Sequence, residues 1–448
     1  MKIKKYLIFT LTIFLASYNL TQAQSKSSAI DKKIFNAIEN QVEDVNKLYL
    51  DLHQNPELSL MEFETAKKMA HQLKQLGFEV TTGVGGNGVV GVFKNGEGKV
   101  IMLRTDMDAL PIKETTGLSY ASKVVMNDAA GIESSVMHAC GHDMHMSTWL
   151  GTLNTLVQLK DEWKGTILAI AQPAEEGSIG SMAMIKDGLF DRFPTPDYAF
   201  AYHVSADLPA GEIGYFPGPI FAGVNSVDLT IRGIGGHGAL PHTTIDPVVI
   251  AARSILALQT VVSREINPFN PAVITVGSIH AGTKHNIIPN EVKMQLTVRF
   301  FTDEVYEQIC DAVNRIPKGI ALSAGVPENL LPIVEIKEEF TPPVANNPEL
   351  VLNSVKSMQQ IIGNENVYQV NPATVGEDFG KYGRTADNIP IALFWLGSIN
   401  PEFYKESKEN GNPIPGLHNS AFIPDFIPTF TTGVAAMSKN VIDLFNKK

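Results

Sequence analysis

Three apolar runs in this chain each stop at residues that carry chemistry, and that pattern restricts the fold more than any other feature. "VIMLRTDMDALP" stops at Asp106 and Asp108, "TILAIAQPAEEG" breaks at Glu175 and Glu176, and "DYAFAYHV" is expected to end near His203. Apolar runs with little polar alternation read as strands covered on both faces, which is the habit of α/β sheets. Between the first two lies "STWLGTLNTLVQL", with Leu150, Leu153 and Val157 on one helical face. Strands thus alternate with helices, and ligands of such sheets bind beyond the carboxyl ends of the strands. A chain of 448 residues, 44% hydrophobic, can bury a full core and fill about two domains.

Ile30 to Gly77 reads as helical, with Leu48, Leu52, Phe63, Ala66, Met69, Ala70 and Leu73 spaced by threes and fours. "VVGVF" and "VIMLRTD" flank "KNGEGK", whose Asn95-Gly96 predicts a hairpin turn. Composition shifts near Phe221. From there to about Phe340 the order is strand, helix, strand, strand, helix, strand, the split βαβ pattern of a ferredoxin-like unit. The Pro-rich "TPPVANNPEL" carries the chain back to a late strand, "IPIALFWLGS", and to the loop "GLHNSAF". The expected organisation is an α/β domain in two parts, 30–220 and 341–448, interrupted by an inserted domain over 221–340.

The N-terminal "MKIKKYLIFTLTIFLASYNLTQA" has three lysines, an apolar run and a small-residue exit. Residues 1–23 therefore read as a secretory signal, too short for a stable membrane span. An exported protein, periplasmic or secreted, with no stable membrane anchor is expected. The net charge of −11 and the lack of a basic stripe argue against a nucleic-acid partner. Cys140 and Cys310 are the two cysteines; a disulfide between them is not expected, because Cys140 lies inside a histidine cluster.

That cluster, "HACGHDMH", places His138, Cys140, His142 and His145 within eight residues. Cys140 and His142 are two apart, which on an extended segment turns both to one side. Glu176, His203 and His418, each expected at a strand end, could complete a mixed sulfur, nitrogen and oxygen ligand set suited to zinc, manganese or cobalt. Adjacent carboxylates repel, and a dication relieves the repulsion. One of the pair Glu175-Glu176 can then bind metal while its neighbour takes a proton from a metal-polarised water. In "GIGGHGALPH" the glycines allow close backbone approach, and His237 could donate to a developing oxyanion.

"RTDMDALP", "MHACGHDMH", "QPAEEG", "YHV", "GGHGALPH", "NIIPNEV", "GEDF" and "GLHNSAF" resemble, in order and spacing, the di-metal amidohydrolase and aminoacylase group of metallopeptidases. That group contains hippurate hydrolases and indoleacetyl-amino-acid hydrolases, and the resemblance runs from about Asp31 to the C terminus. It implies a mixed-sheet catalytic domain, an inserted ferredoxin-like domain serving as lid and dimerisation unit, and two divalent ions per subunit, manganese or zinc with cobalt as a further option. Cys140, His142, Glu176, His203 and His418 resemble the metal ligands, Glu175 the general base and Asp106 a carboxylate that orients a ligand. His237 resembles a residue reaching across a homodimer interface, and Asn286 a substrate contact. His138 and His145 read as supporting or capping residues, and His53 as structural. "GHDMHM" departs from the commoner Gly-His form, and "ASKVVMNDAAGIESS" is a long loop for the group; both bear on substrate choice. The implied activity is hydrolysis of an N-acyl amino acid or related small amide. The alternatives are a dipeptidase or carboxypeptidase on the same machinery, or a metal-dependent binding protein without catalysis.

Overall fold

The computed structural model describes residues 28–447, apart from 129 and 339; the expected signal segment lies outside the described residues. Along the chain come α1 (Ala29–Glu39), α2 (Val42–Gln54), α3 (Phe63–Gln75), β1 (Glu79–Val84), β2 (Gly88–Lys94), β3 (Val100–Asp106), α4 (His142–Gln158), β4 (Thr166–Gln172), β5 (Tyr198–Pro209) and β6 (Ile213–Tyr215). Next are β7 (Gly223–Arg232), α5 (Pro247–Thr260), β8 (Ala272–Ala281), β9 (Glu291–Phe300), α6 (Asp303–Ser323) and β10 (Ile333–Ile336). Then follow α7 (Pro348–Ile362), β11 (Val367–Gln369), β12 (Ile391–Ile399) and α8 (Phe426–Asn446).

The larger sheet has the order β1-β2-β4-β3-β5-β12-β6-β11. Its central strands β4, β3, β5 and β12 run parallel and are buried on both faces, the usual setting of parallel strands. One core joins a face of this sheet to α1–α4, α7 and α8, through residues such as Leu52, Met69, Leu153, Val355 and Phe430. A second core covers the opposite face with Met184, Leu189, Phe379 and Tyr382.

Two local expectations change. Asn95-Gly96 does not close a hairpin, because β4 inserts between β2 and β3, antiparallel to one and parallel to the other. β4 is buried from Ile167 to Gln172 and takes the central position that its apolarity demands. Asn95 instead pairs with Gly165 through its backbone N–H, at 2.8 Å. β5 also does not stop near His203; it runs beside β12 as far as Pro209, so His203 lies within a strand.

The smaller sheet has the order β8-β9-β7-β10, antiparallel throughout. α5 and α6 cover one face with Ile250, Leu258, Ile309 and Val313. The chain enters and leaves this unit at one place: Val224 and Thr341 exchange backbone hydrogen bonds of 2.8 and 3.0 Å. The fold is thus a mixed-sheet α/β domain interrupted by a ferredoxin-like insertion.

Candidate active site

α4 begins at His142 rather than at the Ser147 where its apolar face becomes legible. The residue before it, Gly141, has φ +77°, and a Cβ there would lie 2.6 Å from Val204 Cγ2. Cys140 and His142 are therefore brought together by a left-handed turn into a helix, and the expected extended segment is not present. His203 projects from β5 and donates Nδ1–H to the Val204 carbonyl at 2.8 Å, which leaves Nε2 with its lone pair. His418 sits in a loop at φ +62°, fixed by its N–H to the Ala139 carbonyl at 2.9 Å.

These placements converge. Cys140 Sγ lies 3.5 Å from His203 Nε2 and 3.3 Å from His418 Nε2. Glu176 Oε2 is 3.5 Å from His418 Nε2, and Glu176 Oε1 is 3.8 Å from His142 Nε2. Glu175 Oε2 faces the same His142 nitrogen at 3.9 Å. All six residues marked in the sequence for ligation or proton transfer thus share one pocket.

Asp106 and Asp108 divide the supporting work, and sequence reasoning gave Asp108 no part in it. Asp106 accepts from Arg104 Nη1 at 2.6 Å and from His145 Nδ1 at 2.7 Å, and His145 Nε2 accepts the Val204 N–H at 2.8 Å. Asp106 Oδ1 is 3.9 Å from His142 Nδ1, whereas Asp108 Oδ1 is 3.4 Å away. Asp108 is thus the nearer carboxylate to that ring, and Asp106 reaches β5 through His145. Sequence reasoning also passed over Arg104, whose guanidinium pairs with Glu377 at 2.9 Å and Asp378 at 3.1 Å; "GEDF" was the available signal. His138 is buried with neither ring nitrogen partnered.

His237 and Asn286 are not part of this pocket. Both are exposed on the inserted domain, where Gly236–His237 pairs with Ile287–Ile288 and the Gly238 N–H donates to the Asn286 carbonyl at 2.8 Å. His237 Nδ1 accepts the Ala239 N–H at 3.0 Å. The structure brings these two residues to each other on one exposed stretch of the small domain.

The electrostatics of the pocket call for cations. Asp106, Asp108, Glu175, Glu176, Glu377 and Asp378 crowd against Arg104 and His142. Burial, then Glu377 and Glu176, push the Glu175 carboxyl well above its ordinary range. Burial, then the same Glu176 and Glu175, push the Cys140 thiol up. Burial pulls the His142 imidazole down, yet Asp106 and Asp108 outweigh it and hold it at about 10. Protons are thus retained where positive charge is short. Both His142 nitrogens and Glu176 Oε1 lack hydrogen-bond partners although buried. Such orphaned groups, beside the Cys140 thiol, fit a soft or borderline divalent ion.

A carboxylate placed beside a sulfur, nitrogen and oxygen donor cluster, at the ends and flanks of parallel strands, defines a hydrolase site. Residues 102–413 match peptidase family M20/M25/M40, and the chain belongs to that family as an amidohydrolase of the aminoacylase type, an enzyme that hydrolyses amide bonds. It is 38% identical to thermostable carboxypeptidase 2 of Saccharolobus solfataricus over 78% of this chain and 84% of that protein. Similarity to the hippurate hydrolase of Campylobacter jejuni is 37% identity over 84% of this chain and 90% of that one. A solved dinuclear metal-binding peptidase of the M20 family from Bacillus subtilis superimposes with a TM-score of 0.74 at 28% identity, covering 92% of this chain and 100% of that chain.

Proposed function

We propose that this protein hydrolyses N-acyl amino acids or closely related small amides with two divalent ions, manganese or zinc with cobalt as a third option. The observation that carries the reading is the juxtaposition of His142, Glu175 and Glu176, whose ligand atoms lie within 4.8 Å of one another. Cys140, His142, Glu176, His203 and His418 would hold the ions, with the Cys140 sulfur central to the set. Ions bound there supply polarisation of the scissile carbonyl and of the attacking water. Glu175, facing the His142 ring beside Glu176, would take the proton from that water and return it to the leaving amine. Asp106 keeps β5 and its His203 in place through His145.

A second reading, cleavage of dipeptides or of C-terminal residues, is favoured by the similarity to the carboxypeptidase. Rates on N-acyl amino acids and on dipeptides, each measured with manganese, zinc and cobalt, separate the two. Absence of amide hydrolysis with every metal would overturn both.

The proposed assembly is a homodimer through the inserted domain. α5 exposes Val248, Val249 and Leu256, β8 is a ten-residue edge strand, and Ile234, Leu240 and Ile287 are exposed around His237. The helical stretch Pro247–Glu265 is also long and apolar enough to cross a membrane by length and composition, yet its inner face covers the small sheet. His237 would then stabilise the oxyanion in the partner's site, with Asn286 beside it as a substrate contact. Export is proposed from the N-terminal lysines and apolar run, and cell fractionation tests it.

A further inference from the structure

Three successive backbone N–H groups in the loop carrying Glu175 and Glu176 are each taken up by a carboxylate from another element. Ala174 N–H donates to Glu62 Oε1 at 2.8 Å, Glu175 N–H to Asp108 Oδ1 at 3.0 Å, and Glu176 N–H to Asp108 Oδ2 at 3.0 Å. Both carboxylates are fully enclosed, Glu62 at 0% and Asp108 at 1% exposure. Ala174 has φ +48°, the left-handed region that an L side chain disfavours, so the loop needs outside restraint to keep its shape.

The restraint is itself braced. Glu62 Oε1 also accepts the Leu60 N–H at 2.9 Å, and Glu62 Oε2 accepts from Asn87 Nδ2 at 3.0 Å. Ser59 Oγ donates to Asp108 Oδ2 at 2.6 Å. The link between α2 and α3 thus reaches both carboxylates. Charged acceptors hold backbone N–H groups more firmly than neutral ones, but two further negative groups behind Glu175 and Glu176 raise the repulsion in the pocket. An amide or hydroxyl would have satisfied the same N–H groups with no such cost.

We propose that Asp108 and Glu62 are positioning residues that fix the backbone of Ala174, Glu175 and Glu176 before any ion is bound, so that the two glutamate side chains are aimed in advance. Asp108 acts on two sides: one carboxylate holds the backbone behind both glutamates and faces the His142 ring that must meet them. This rests on the reading of Glu175 as base and Glu176 as ligand.

The test compares Asp108→Asn, Glu62→Gln and the milder Ser59→Ala with wild type. An asparagine or glutamine keeps one oxygen but turns an NH₂ toward groups that are themselves donors. Hydrogen exchange on the metal-free proteins, read by mass spectrometry, should show faster exchange confined to the peptide spanning residues 173–178. The visible spectrum of the cobalt-loaded Asp108→Asn protein should change. At saturating metal, kcat should fall roughly 10–100-fold in the first two variants with little change in KM, and severalfold in Ser59→Ala.

Glycine at position 174 takes a positive φ without strain, so adding Ala174→Gly to Glu62→Gln should recover part of the lost kcat. Unchanged exchange at 173–178 in the variants would overturn the proposal, as would protection lost evenly over the whole protein. Should Asp108→Asn fail to fold, Glu62→Gln and Ser59→Ala carry the same exchange test. The exchange result needs no turnover: a wild-type protein without metal-dependent hydrolysis would overturn the functional reading and leave the positioning result standing.

Discussion

At the scale of single residues, neighbours in sequence have unlike tasks. Glu176 Oε1 is an orphaned acceptor beside His142, while Glu175 is held at raised pKa by burial and by its fellow carboxylates. Glu175→Gln should therefore keep its metal and lose about 10²–10⁴-fold in kcat, because the amide cannot accept the water's proton. Elemental analysis beside turnover checks this, and near-normal turnover in a metal-replete variant would remove Glu175 from its role. Cys140→Ala should do the reverse and lower metal content sharply with the fold retained, since Cys140 sits in a turn; unchanged stoichiometry would remove it from the ligand set. The donor types were legible in the sequence because sulfur and imidazole gathered in one short segment and the carboxylates followed apolar runs. The supporting carboxylates were harder to apportion: Asp106 and Asp108 both follow the end of one strand's apolar run, and only the three-dimensional position of His142 shows which is nearer.

Elements explain the misread segments. Gly141 was legible as a glycine, but what requires one there is its left-handed φ together with Val204, which leaves no room for a side chain, a contact 63 residues away that no local pattern contains. The Asn95-Gly96 hairpin failed for the same kind of reason, since β4 reaches its place from a distant part of the chain. His53 is a further tie between elements: from α2 it meets Asp143 of α4 at 2.7 Å and Glu114 at 3.2 Å. Burial works against its charge, but the two carboxylates prevail and raise its pKa to about 10. Compared with an unfolded value of about 6.5, the raised pKa gives a stabilising contribution that is complete below pH 6.5 and fades as pH rises toward 10. His53→Ala should cost about 3–5 kcal/mol near pH 6, because it leaves buried carboxylates unpaired. The gap in Tm between the chelated wild-type and variant proteins should narrow from pH 6.5 to 10, and a gap constant over that range would dismiss the charged pair as its cause.

At the scale of the whole molecule, the pocket and the exposed His237 of the small domain pose one question. His237 is exposed, its ring accepting the Ala239 N–H and its backbone paired with Ile287 of the same small domain, whereas Glu175 lies in the pocket of the large domain with its side chain toward His142. If His237 serves the site of a second copy, His237→Ala and Glu175→Gln should each be nearly inactive, yet each supplies what the other lacks. In a mixed dimer one site carries both substitutions, while the other combines an intact Glu175 with an intact His237 from opposite chains. Co-expression with two different tags allows that heterodimer to be purified, and about half the wild-type rate is expected from it if the sites are independent. Simple mixing with full exchange would place about half of the dimers in the mixed state and give roughly one quarter of the wild-type rate. A purified heterodimer as inactive as its parents would confine His237 to its own subunit or remove it from the reaction.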